Sequence, residues 1–442
     1  MKNNAKRVKH NLKKIYHTVR RSPKIVFFDW YHWVNVDLFW YCSNKFKYDF
    51  DFLRISRENL VASFGCGDTN LSLLTPDKFN EYQEISYKGL YLWEICKSSI
   101  CDHLLKSSID IEEDIEVVEF YYGKAAHLID TLVSFFREVK PDSILVEQGF
   151  QYDMRASVEV ARWFGCKVIA IENSFLKDYF FIDSASGGIC NRHSLARNAW
   201  DVIKATALSE QEHDELNEFM SSYQTTIMRS QRENVGTLMD IIPNSEGKKI
   251  ALLFGQVATD AAVIMDSPIY PDVASFIEDA AHIMAVYKDE YHLVIRLHPK
   301  EAYGVNHHDV PFENLTLQKL KEREIDKLEH VTIFHSSQID TYQLMDIADI
   351  GLVLTSQAGL EFLSRHKPTI VLGDAFYGKK GFTFDVLHKE TFANVVEKVI
   401  DLGNISKQQK NDIDRFMHYM IFKYLFPKEL GRCEDRLKGI FQ

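Results

Sequence analysis

The sequence predicts an α/β fold made of two Rossmann-like domains that face a central cleft. Three observations support this. Short apolar runs with little alternation read as buried parallel strands. Helical patterns alternate with those runs, as a doubly wound sheet requires. The polar stretch "PNSEGKK" (243–249) separates two such halves and reads as a linker. The chain has 442 residues, 46% hydrophobic and 26% charged, which suits a globular protein with ample core.

The elements follow in order. "KIVFFDW" (24–30) is the first strand, and residues 124–139 form a helix feeding the strand "SILVEQG" (143–149). "YDMRASVEVARWFG" has helical spacing and ends at Gly165, a glycine placed to cap it. "KVIAIEN" (167–173) then completes a βαβ unit. Residues 209–234 form a long charged helix, with Ser209 and Glu212 spaced as a capping box. In the second half, strands at 250–254, 291–297, 331–335, 349–354 and 369–373 alternate with helices near 271–288, 338–347, 357–365 and 391–402. The domains expected are 1–242, which carries the basic amino-terminal segment, and 243–404. Helices in 405–442 are expected to pack back on the first domain. Two Rossmann-like halves joined by a linker suggest a cleft enzyme of the GT-B glycosyltransferase type, although fold alone does not fix function.

The net charge of −11 argues against general nucleic-acid binding, because a phosphate backbone needs a basic surface. "MKNNAKRVKHNLKKIYHTVRRSPK" nonetheless holds nine Lys or Arg and no acid before Asp29. It reads either as a solvated basic helix or as a surface that leans on anionic lipid. The apolar stretch after it carries Asp29, His32 and Asp37, so it is not a secretory signal. No run of 18 uncharged apolar residues exists to span a membrane. The expectation is a cytoplasmic protein, with peripheral contact at the inner face of the membrane open. Seven scattered cysteines without a CxxC pair indicate reduced thiols rather than a zinc site or disulfide framework. No metal cluster and no cofactor is expected.

Four stretches sit just beyond predicted strands, where open α/β sheets bind ligands. "GQVATD" (255–260) offers Gln256 and the carboxylate of Asp260. In "VIRLHPKE" (294–301), His298 and Pro299 end a strand; the histidine can donate to a phosphate oxygen, with Arg296 and Lys300 adding charge. In "IGLVLTSQAGLEFL" (350–363), Thr355, Ser356 and Gln357 lead into a helix, and Glu361 lies one turn inside. Hydroxyls and free N–H groups there suit an anion, though a plain N-cap with a first-turn acid has the same composition. "VLGDAFYGKKGFTFD" (371–385) is a flexible basic loop, with Lys379 and Lys380 between Gly378 and Gly381, and Tyr377 and Thr383 flanking. It lacks the P-loop order, which disfavours nucleotide triphosphate hydrolysis. "GCGDTN" (65–70) is a lone glycine turn.

Together, "GQVATDAAV", "RLHPKE", "TSQAGLEFL" and "AFYGKKGFT" resemble the capsule polysaccharide synthesis proteins of Gram-negative bacteria, a group containing retaining β-Kdo transferases that build a Kdo linker on a lipid anchor. "IENSFLKD" (171–178) looks like that family's Glu-Asp-Gly-Phe segment, with Glu172 kept and Asn173 and Ser174 replacing Asp and Gly. The resemblance covers about 170–385 and implies a GT-B enzyme that moves Kdo from CMP-Kdo to a glycan or glycolipid acceptor, with the nucleotide sugar held by 243–404 and the acceptor by 1–242. His298 and Ser356 would then contact the CMP phosphate and Glu361 the ribose, while Lys379 and Lys380 offset leaving-group charge. Retention through two inversions needs a carboxylate nucleophile, for which Asp260 is the candidate; the competing reading is that Asp260 only caps the next segment. Glu172 is the candidate acid/base for the acceptor hydroxyl, and Glu147 in "VEQGF" is its rival. Two alternatives stay open: a transferase of this fold using another activated sugar or sugar phosphate, and a non-catalytic capsule assembly or export component.

Overall fold

The computed structural model describes residues 22–30, 35–65, 79–184, 199–231, 242–302, 304–306, 311–334 and 339–442. Residues 1–21 of the basic segment and 66–70 of the glycine turn lie outside these. The chain divides into two compact units, one of residues 1–100, 109–195 and 425–442, the other of residues 101–108 and 196–424.

In the first unit, β1 (Lys24–Asp29), β2 (Asp51–Ser56), β3 (Ser143–Glu147) and β4 (Lys167–Asn173) run parallel. β5 (Tyr179–Asp183) and the short strand Phe426–Pro427 extend the sheet antiparallel, giving the order β2-β1-β3-β4-β5 and then 426–427. β1 has no alternation because both of its faces are covered. Phe27 meets Phe39 of helix Asn35–Lys45, whereas Phe28 meets Phe135 and Phe136 of helix Ile115–Val139. Ile25, Val26, Phe27 and Phe28 are each at 0% exposure, so each side chain contributes about 1.5–3 kcal/mol of burial. Helix Ile115–Val139 starts earlier than the expected 124. Gly165 follows helix Tyr152–Trp163 with φ of 72°, the left-handed conformation expected of it.

The second unit contains β6 (Lys249–Phe254), β7 (Tyr291–Arg296), β8 (Val331–Phe334), β9 (Ile350–Val353), β10 (Thr369–Val371) and β11 (Phe384–Asp385). All are parallel, in the order β8-β7-β6-β9-β10-β11. Chain progression reverses between β6 and β9, which is the topological switch point of a Rossmann sheet. The Ser209–Glu212 capping box forms, with Ser209 N–H donating to Glu212 at 3.0 Å and Glu212 N–H to Ser209 Oγ at 3.3 Å.

The division differs from the boundaries the sequence suggested. Residues 196–242 group with the second unit, where helix Glu210–Gln231 packs near helix Lys407–His418 and Phe219 meets Phe422 at 5.7 Å between ring centroids. "PNSEGKK" therefore leads into β6 inside that unit instead of linking the two. Of the carboxy-terminal segment, only 425–442 joins the first unit. Its Phe426, Leu430, Cys433, Leu437 and Phe441 complete the cluster around Ile25 and Phe27.

His292 on β7 gives this unit a pH signature. It is fully buried, with Nε2 2.8 Å from Thr332 Oγ1. Burial, then Lys248 and His330, lower its pKa from 6.5 to about 4. The unfolded chain binds that proton first, so stability falls as pH drops from 6.5 towards 4. His292→Gln is expected to remove about 3 kcal/mol of this loss between pH 7 and 4. Parallel unfolding curves for the two proteins across that range would contradict it.

Candidate active site

The carboxyl ends of β6 and β9 meet at the switch point, and both loops there carry residues the sequence singled out. Gly255 donates to the Arg296 carbonyl at 2.8 Å. A Cβ on it would stand 3.2 Å from that oxygen and from Leu297 Cα, so glycine permits the close approach of the two strand ends.

Gln256 is buried and bridges the loops. Its Oε1 accepts from Thr355 N–H at 2.9 Å, which fixes the amide's orientation because a backbone N–H can only donate. Nε2 then donates to Thr355 Oγ1 at 3.0 Å and to Asp260 Oδ2 at 3.3 Å. Both ends of an amide expected to contact substrate are thus spent on holding the loops together. Asp260 is the N-cap of helix Ala261–Asp266, its Oδ1 accepting from Ala262 N–H at 2.9 Å.

His298 follows β7. Its Nδ1 accepts from Lys300 N–H at 3.1 Å, which leaves the proton of the neutral ring on Nε2. Burial lowers its pKa, Lys300 and Arg296 add to this, and nearby Asp260 opposes it. The side chain is therefore a neutral Nε2–H donor beside a carboxylate. Pro299 and Lys300 are exposed in the short turn Pro299–Glu301. Glu301, which the sequence reading passed over, is buried at 1% exposure.

Beyond β9, Ser356 Oγ accepts from Ala358 N–H at 3.2 Å at the start of helix Ala358–Leu363. Gln357 Oε1 is buried and has no hydrogen-bond partner among the described residues. Glu361 is half-buried, hydrogen-bonded to the Tyr342 hydroxyl and near Arg365. Burial raises its pKa to about 7 against those two groups. Tyr377 is fully buried, and its hydroxyl donates to the Ser356 carbonyl. A Cβ on Gly359 would lie 2.2 Å from that hydroxyl, so the glycine makes room for it. Tyr377 thus supports the 355–359 loop from within.

The loop after β10 has a defined conformation built around Asp385. Lys379 N–H and Thr383 Oγ1 each donate to its carboxylate at 2.8 Å. Lys379 adopts φ of 57°, and its exposed ammonium pairs with Asp374 at 3.1 Å. Lys380 is buried, with its ammonium 5.7 Å from the centroid of the Phe416 ring. Of the two cations expected to face a leaving group, only Lys379 is solvent-exposed.

In the first unit the strand order turns between β1 and β3, and Glu147 ends β3, buried. Glu172 lies on β4, half-buried and opposite Phe181 of β5. "IENSFLKD" is the tight connection between these strands. Ser174 Oγ accepts from Leu176 N–H at 3.0 Å, and Tyr179 N–H donates to the Leu176 carbonyl at 3.0 Å. Serine and asparagine suit this turn, since their side chains bond local backbone. Among the described residues no group of three or more His, Cys, Asp or Glu is placed to hold a metal, and no helix is long and apolar enough to cross a membrane.

Two Rossmann-like units in one chain, with ligand-type loops at a switch point, are the parts of a GT-B fold. The sequence profile described as "Capsule polysaccharide biosynthesis protein" matches residues 135–402. The chain belongs to this capsule polysaccharide biosynthesis family. It is similar to two solved structures of Thermosulfurimonas dismutans KpsC. The β-Kdo 2,7 transferase is 17% identical with a TM-score of 0.43, over 67% of this chain and 82% of that one. The β-Kdo 2,4 transferase is 14% identical with a TM-score of 0.43, over 68% and 88%. The UDP-GlcNAc 2-epimerase of Neisseria meningitidis is 13% identical with a TM-score of 0.37, over 90% and 100%. No curated protein matches the sequence.

Proposed function

We propose that the chain is a retaining glycosyltransferase that moves Kdo from CMP-Kdo to a glycan or glycolipid acceptor in surface polysaccharide synthesis. The observation that carries this reading is the pairing of a carboxylate, Asp260, with a neutral histidine donor, His298, on adjacent strand ends beside the switch point. In the first step the Asp260 carboxylate attacks the anomeric carbon while its bond to the CMP phosphate oxygen breaks. His298 Nε2–H and the Ser356 hydroxyl stabilise charge gathering on that phosphate, and Lys379 adds a diffuse positive field. Glu361 accepts from the ribose hydroxyls. In the second step an acceptor hydroxyl, its proton taken by Glu172 or Glu147, attacks the same carbon and releases Asp260. Two inversions restore the configuration. CMP leaves as a monophosphate, so no metal is needed to clamp a diphosphate. Family membership supports the capsule setting; the donor follows from the motif resemblance.

The direct test is release of CMP from CMP-Kdo in the presence of Kdo-bearing acceptors, with UDP-sugars in parallel. Acceptor-dependent CMP release is the expected result. No turnover of CMP-Kdo, together with stabilisation against heat by UDP but not CMP, would assign another donor.

A further inference from the structure

Glu301 divides its two carboxylate oxygens between two segments of the second unit. Oε1 accepts from Ala258 N–H in the loop carrying Asp260. Oε2 accepts from Thr316 N–H at 2.9 Å, in the first turn of helix Leu315–Glu322. Its backbone extends the tie: Glu301 N–H donates to the His298 carbonyl at 3.0 Å, and its own carbonyl accepts from Asn314 N–H at 2.6 Å. One residue therefore holds the Asp260 loop, the His298 turn and the start of a helix.

Burying a carboxylate is costly, and charge-assisted hydrogen bonds must recover that cost. Burial raises the Glu301 pKa, and the Thr316 and Ala258 donors, with Lys319, pull it back. Neither close relative of the side chain can do the same work. A glutamine offers one oxygen and one NH2, so one of the two backbone N–H groups would face another donor. An aspartate keeps both acceptors but is one methylene short of spanning the two segments.

We infer that Glu301 is a positioning residue for the transfer reaction: by holding Ala258 it sets where the Asp260 carboxylate stands relative to His298. The inference rests on the function proposed above. A misplacement of about 1 Å in a reacting group costs about a hundredfold in rate, so the effect belongs in kcat rather than in donor binding.

The experiment compares the full chain with Glu301→Gln, Glu301→Asp and Val399→Ala, the last a fully buried position on helix Phe392–Leu402 that supplies general destabilisation. Amide hydrogen exchange is followed in peptides covering 249–254 and 255–262, alongside kcat and KM for CMP-Kdo. In Glu301→Gln, exchange over 255–262 is expected to rise by about tenfold or more, while 249–254 stays protected. Its kcat should fall about a hundredfold with KM little changed. Glu301→Asp should fall between it and the parent, and Val399→Ala should alter neither local exchange nor kcat. If Glu301→Gln does not fold, Glu301→Asp carries the same measurements. Parent-like exchange over 255–262, or a loosened loop with unchanged kcat, would overturn the inference. If the parent itself fails to turn over CMP-Kdo, the proposed function fails, and the exchange data still decide whether Glu301 holds the loop.

Discussion

Asp260→Asn is expected to reduce sugar transfer by about three orders of magnitude or more while CMP still binds. The asparagine keeps the size of the side chain and can still cap helix Ala261–Asp266 through its oxygen. What it loses is the attacking charge. Its new NH2 also faces Gln256 Nε2, which now donates to Asp260 Oδ2, so the Gln256 bridge weakens at that end. His298, Ser356 and Glu361, the groups proposed to hold the nucleotide, lie on other segments, which is why binding and turnover should separate. In the parent, incubation with donor and no acceptor should leave a sugar-sized mass increment on the peptide containing 255–266. The cap geometry sets up the opposing outcome. If capping Ala262 is all Asp260 does, the variant retains near-parental turnover and the nucleophile assignment is lost, making Glu172 and Glu147 the next carboxylates to replace.

Glu361→Gln is expected to weaken CMP binding about tenfold at pH 8, because a hydrogen bond to an ionised acceptor is worth about 1.5–3 kcal/mol. In the parent, affinity should fall as pH drops through about 7, where this carboxylate takes up its proton. The stability effect has the opposite sign. The folded state holds the proton up to about 7 while the unfolded chain releases it near 4.5, so the parent loses stability as pH rises between those values. Glutamine has no charge to bury, so the variant should be the more heat-resistant protein above pH 7, and the gap should close below pH 5. A proposed binding group that destabilises its own fold would fit the trade-off between stability and function. Calorimetric titration with CMP from pH 5.5 to 8.5 decides it: flat, equal affinities for both proteins would remove Glu361 from the site.

Much of the fold is legible because buried parallel strands have an unambiguous composition. "KIALLF" is apolar on both faces and ends at a glycine, while "YHLVIR" is buried on both faces although His292 and Arg296 share one of them, and a His-Pro follows it closely. β2 and β5 escape that reading for a physical reason. "DFLRIS" is half-buried and carries Arg54, whose guanidinium pairs with buried Asp29. "YFFID" is a hairpin return, with no helix before it to announce it. The boundary near 242 misleads because a polar stretch looks the same inside a unit as between two. At the candidate site, spacing singles out Asp260 and His298, which lie in the connections after β6 and β7, and Glu361, in the first helix after β9. It cannot reveal that the Gln256 amide is consumed by Thr355, that Tyr377 lies under the loop, or that Lys380 sits against Phe416. Those facts depend on partners far along the chain, 99 residues away in the case of Gln256 and Thr355. Glu301 is hidden for the same reason, because its burial depends on Ala258 and Thr316.

The membership of residues 425–442 in the first unit bears on how the protein is made. A nascent chain leaves the ribosome amino end first, and domains generally fold as they emerge. Here β1 waits until residues 426–441 have been synthesised before Phe426, Leu430, Leu437 and Phe441 can close the cluster around Ile25 and Phe27. Residues 196–424 are complete before that, so the later-encoded unit is free to mature while the earlier-encoded one remains open. Until then the apolar side of β1 and the free edge of β5 are surfaces that chaperones would bind, and on which stalled or truncated chains would aggregate.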